Sequence, residues 1–99
     1  MSSIDKWRRK IDELDAELVK LLNERAKFAE EIGKLKSKLG LDAYSPEREE
    51  EIMSNVSNQN PGPLSLQALR RLYERIIDES RSVERAAMKD NRDSPDSKK

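Results

Sequence analysis

The sequence predicts an all-α fold of three helices per chain, one long, one short and one of medium length. Two observations carry that expectation. Apolar side chains recur at alternating steps of three and four residues, which gathers them on one face of a helix and which no strand produces. The interruptions of that rhythm fall at Gly40 and at Pro61-Gly62-Pro63, residues that end helices.

The first helix is read from Ile4, Trp7, Ile11, Leu14, Leu18, Leu21, Phe28, Ile32, Leu35 and Leu39. Ser2 or Ser3 can cap its start, and Gly40 follows its last periodic residue as a left-handed cap would. Residues 4–39 then span roughly 54 Å at 1.5 Å per residue. A compact domain of this size has a radius of gyration of about 13 Å. The helix therefore overhangs its own domain, and its apolar stripe predicts self-association. Ser45-Pro46-Glu47 next reads as a cap, a proline at the first helical position and an acidic first turn, with Ile52, Met53 and Val56 forming a short apolar face. Ser65 caps a third helix carrying Leu66, Leu69, Tyr73, Ile76, Val83 and Ala87. These elements define a domain over residues 1–88. From Lys89 onward the sequence KDNRDSPDSKK offers nothing apolar to offset the entropy of ordering it, so residues 89–99 are expected to be a disordered polar tail.

Composition excludes several function classes. The 99 residues are 34% hydrophobic and 40% charged, with mean hydropathy −0.97, so a self-sufficient core is hard to build. Twenty basic residues balance twenty acidic ones, and both halves of the chain are nearly neutral. No field of one sign points to nucleic acid or to an anionic membrane. With neither Cys nor His, disulfides, thiolate nucleophiles, the usual zinc ligands and the usual general base are all missing. No metal or cofactor is expected. The opening MSSIDKWRRK lacks the apolar run of a signal peptide, and no stretch is long and apolar enough to span a bilayer. A cytoplasmic protein is expected.

The informative positions are polar residues in apolar slots. Arg25 lies four residues after Leu21 and three before Phe28, a core register in which a guanidinium is costly unless an anion meets it. Ser80 stands four after Ile76 and three before Val83; Glu49 stands three before Ile52. One reading makes them register-setting polar groups, or an internal Arg25–Glu49 ion pair. The other makes them a ligand site. Lys36, three turns beyond Arg25, lies on the same face roughly 16 Å away, either as a solvated lysine or as a second cation for one small dianion. Arg8 lies about 25 Å from Arg25 along the axis. It cannot share a small ligand with Arg25 of its own chain, but in an antiparallel dimer it could complete the site from across the interface. Glu84 shares a face with Ser80 and has Met88, not a cation, four residues on.

Arg8-x-x-Ile11-x-x-Leu14-Asp15, Leu21-Leu22-x-Glu24-Arg25, Gly33-x-x-Lys36, Tyr44-x-Pro46-x-Arg48-Glu49 and Ile76-Ile77-x-x-Ser80, in this order, resemble the all-α class of chorismate mutases. The resemblance covers residues 4–88 and implies an intertwined antiparallel homodimer with two composite sites. It implies that Arg25, and Arg8 from the other chain, hold the two carboxylates of chorismate and that Lys36 donates to the ether oxygen. Arg48 would lend positive charge to a substrate carboxylate, Glu49 would accept from the ring hydroxyl with help from backbone near Ser45, and Ser80 would bond a carboxylate. Glu84 stands where some members have Gln, and donates to the ether oxygen only when protonated. Many members have Asp where Ser45 stands. The implied reaction is the rearrangement of chorismate to prephenate, on the path to phenylalanine and tyrosine. It needs neither nucleophile nor cofactor, which suits this inventory. Isochorismate pyruvate lyases share the fold, and a plain helical dimerisation module is the reading from another class.

Overall fold

The computed structural model of the chain describes residues 2–93. It contains three helices in the expected order: α1 (Ser3–Leu39), α2 (Pro46–Gln59) and α3 (Leu66–Asp93). Local chemistry fixes their ends. The Ser2 side chain accepts a hydrogen bond from the Asp5 amide at 3.2 Å and starts α1. Gly40 stops it in the left-handed region at φ 70°, and the Leu41 amide then turns back onto the Lys36 carbonyl at 2.9 Å. Pro46 occupies the first position of α2. The Ser45 hydroxyl makes no capping bond there; the Ser45 carbonyl instead accepts from the Glu49 amide at 3.1 Å. At the start of α3 the Ser65 hydroxyl accepts from the Ala68 amide at 3.1 Å.

The third helix does not end at Met88. It runs through Asp93, so residues 89–93 are helical where a disordered tail was expected. Continuing an existing helix adds a backbone hydrogen bond per residue without a new nucleus, and needs no apolar side chain. The rest of the expected tail, residues 94–99, lies outside the described residues.

Helix α3 packs against both α1 and α2. Its crossing with α1 is close because small residues face each other. Gly33 is buried, and a Cβ added to it would lie 2.5 Å from the Glu84 carbonyl oxygen and 3.1 Å from the Ala87 side chain. The buried apolar residues are Ala29, Ala43, Ile77, Ala87 and Met88, of which only Ile77 and Met88 are large. Fully burying a side chain of that size contributes about 1.5–3 kcal/mol, whereas ordering each backbone residue costs about 1–2 kcal/mol. The single chain is correspondingly extended, 63 × 29 × 15 Å with a radius of gyration of 17.6 Å. Along α1, Ile4, Trp7, Ile11, Leu14, Leu18, Leu21, Leu35 and Leu39 are each 52–70% exposed. Among the described residues no helix is long and apolar enough to cross a membrane.

Candidate active site

A cavity of about 280 Å³ opens where the second half of α1, the start of α2 and the middle of α3 converge. Every expected site residue except Arg8 lines it: Arg25 and Lys36 from α1, Ser45, Arg48 and Glu49 from the start of α2, Ser80 and Glu84 from α3. Its apolar wall includes Phe28, Ile32, Ile52 and Ile77. Thus the polar slots of three separate helical patterns meet in one place.

Arg25 is half-buried and donates from Nη1 to the Ser80 hydroxyl. Among the described residues no carboxylate pairs with it, so the internal Arg25–Glu49 bridge that the spacing allowed is not made. Glu49 turns to Arg81 instead, its Oε2 accepting from Nη2 at 2.5 Å and from Nε at 3.2 Å. Arg81 was missed by the sequence reading. It lies on the cavity wall, its guanidinium 5.0 Å from the Tyr44 ring centroid and its Nη1 3.4 Å from Asp78. The hydrogen bond to Glu49 raises the Arg81 guanidinium further above its already high ordinary pKa, against the opposing effect of burial.

Lys36 is not a solvated lysine. Its Nζ donates to the Ala43 carbonyl at 2.9 Å and lies 2.8 Å from Glu84 Oε1, the two side chains only 18% and 14% exposed. The ammonium and that oxygen lack hydrogen-bond alignment, so Glu84 Oε1 is buried beside a cation yet accepts no hydrogen bond among the described residues. Arg48 is exposed at the rim and bonds Glu51 one turn along α2. Arg8 stands apart on the free half of α1, its side chain 73% exposed and 3.9 Å from Asp5.

The charge inventory has a clear chemical meaning. The lining carries four cations, Arg25, Lys36, Arg48 and Arg81, against the two carboxylates of Glu49 and Glu84. Glu84 is matched by Lys36 and Glu49 by Arg81, and Arg48 pairs with Glu51 at the rim, which leaves Arg25 as the lining cation with no carboxylate partner among the described residues. Apolar walls beneath it lower the local dielectric and strengthen its attraction for an anion.

Fold and cavity together define the class: a three-helix chain whose seam is opened by a cation-rich cavity. The match over residues 7–85 is to chorismate mutase type II, and the chain belongs to that family. It is 39% identical over 89 residues to the bifunctional chorismate mutase/prephenate dehydratase of Aquifex aeolicus (strain VF5), covering 86% of this chain and 25% of that protein. A protein of the same description from Neisseria gonorrhoeae is 41% identical over 78 residues, covering 79% of this chain and 21% of its own length. The chain thus spans about a quarter or less of these relatives. Among solved structures, chorismate mutase (form II) from Thermus thermophilus superposes with a TM-score of 0.83 at 36% identity, covering 85% of this chain and 96% of that one.

Proposed function

We propose that the protein catalyses the rearrangement of chorismate to prephenate, as a homodimer in which each cavity is completed by Arg8 of the second copy. The observation that carries this reading is the cavity's cation-rich lining: Arg25, Lys36, Arg48 and Arg81 surround it, and Arg25 has no carboxylate partner among the described residues. Arg25 with Ser80 takes one carboxylate. The dimer brings Arg8 to the other, with Arg48 adding positive charge at the rim. The exposed stripe that runs past Arg8 supports such pairing, since an apolar face of that length in water favours association.

The reaction is an intramolecular pericyclic step, so the protein's task is positioning and electrostatics. Clamping both carboxylates holds the flexible enolpyruvyl ether in the compact conformer where the reacting carbons approach, removing conformational entropy before the barrier. Negative charge grows on the ether oxygen as its bond lengthens. Lys36 has three N–H donors, of which one is used by Ala43 and one side faces Glu84, leaving a donor for that oxygen. A carboxyl donates only through a proton, so Glu84 acts as a second donor in its acid form, through the carboxyl whose Oε1 has no hydrogen bond of its own. Both contacts strengthen as the charge develops, which is what lowers the barrier. Glu49 accepts from the ring hydroxyl, beside the Ser45 backbone.

The test is to mix purified protein with chorismate and follow its loss optically, with isochorismate in a parallel cell. Conversion of chorismate to prephenate is expected. Release of pyruvate from isochorismate alone would assign the lyase reaction, and no turnover of either would leave a dimerisation module.

A further inference from the structure

Arg81 has no part in the reading above, yet it lines the cavity and is held there by Glu49, Tyr44 and Asp78. Glu49 is a carboxylate beside cations whose charge is wanted for the substrate, Arg25 and Arg48. Left alone, it would be drawn to the unmatched Arg25, because opposite charges in a partly desolvated space attract strongly. In the structure Glu49 Oε2 accepts instead from two N–H groups of Arg81, and Arg81 is itself in contact with the Tyr44 ring and with Asp78. Only one of the two carboxylate oxygens is engaged; Oε1 has no ion pair or hydrogen bond to any described residue that would compete with a ligand.

We propose that Arg81 is a positioning residue for the reaction: it holds the Glu49 carboxylate with Oε1 open to the ring hydroxyl of the bound substrate and keeps that carboxylate from neutralising Arg25. This rests on reading the cavity as a chorismate site. It differs from a merely structural role, in which Arg81 would clasp α2 to α3 and matter equally whatever charge residue 49 carries.

A double-mutant cycle with Glu49→Gln separates the two, because a neutral amide cannot quench Arg25 and needs no counterion. Arg81→Met is expected to lower kcat/KM for chorismate about tenfold or more with Glu49 present, and to change it less than about twofold on the Glu49→Gln background. Arg81→Lys keeps the charge without the two-pronged grip, so its loss lies between, again only with Glu49 present; should Arg81→Met fail to fold, the Lys variant carries the same cycle. Equal losses on both backgrounds, or no loss with Glu49 present, overturn the inference. Absence of chorismate turnover by the parent protein overturns the reading of the cavity and this inference with it, whereas turnover with equal losses overturns the inference alone.

Discussion

A guanidinium in an apolar slot is tolerated here because the slot opens onto a cavity and a serine meets it. Arg25→Ala should therefore remove a desolvated charged contact to substrate worth about 2–5 kcal/mol, a loss of roughly 30- to several-thousand-fold in kcat/KM. Helicity and denaturation midpoint should stay near those of the parent, since Ser80 loses only a hydrogen bond and no carboxylate is stranded. A parallel collapse of stability would mean that Arg25 is structural. Glu84 gives a second residue-scale prediction. Glu84→Gln places a permanent donor of nearly the same shape beside Lys36, so it should keep activity, whereas Glu84→Ala should be poor. Compared by kcat/KM for chorismate, the Gln variant should match or exceed the parent and the Ala variant should fall well below both, because the amide keeps a donor at the ether oxygen and the methyl does not. Equal kcat/KM for the Gln and Ala variants would remove Glu84 from that role. Sequence spacing could find Arg25, Ser80 and Glu49 because each breaks an apolar rhythm. It could not find Arg81, which sits off the stripe beside Ser80 like any surface arginine; its decisive partner, Glu49, is 32 residues away on another helix.

At the scale of elements, the crossing of α1 and α3 sets the distance between Lys36 and Glu84. Gly33 is what lets the backbones approach, since a methyl there would press on the Glu84 carbonyl and α-carbon, backbone atoms with no flexible end to yield. Gly33→Ala should lower stability by about 1–3 kcal/mol despite alanine's better helix propensity, read as a drop in the urea midpoint. Activity should fall with it as the ion pair widens. An unchanged midpoint would show that the crossing is looser than described. The helix boundaries were legible because caps are local: Ser2, Gly40, Pro46 and Ser65 each act on backbone within a few residues. The extension of α3 to Asp93 was not, because propagation of a formed helix depends on the turn before it rather than on the apolar content of the residues added.

On the scale of the whole molecule, the chain covers little of its apolar surface and leaves the stripe of α1 exposed, which is the ground for the proposed dimer. It should sediment as a dimer at micromolar concentration, and its thermal midpoint should rise with protein concentration as mass action requires. A folded monomer of 11.4 kDa under those conditions would contradict it. The overhang of the long helix was readable from its length alone, and the spacing of Arg8 from Arg25 already showed that one chain cannot bring both to a small ligand; completion of the cavity by Arg8 of a second copy is the proposal that follows. The central claim is that composite cavity, and complementation tests it directly. Arg8→Ala and Arg25→Ala subunits should each be nearly inactive, and after unfolding and refolding together their equal mixture should recover about a quarter of parental activity, because half the dimers are mixed and each mixed dimer has one site with both arginines. Mixed dimers that form but turn over no chorismate would contradict the shared site.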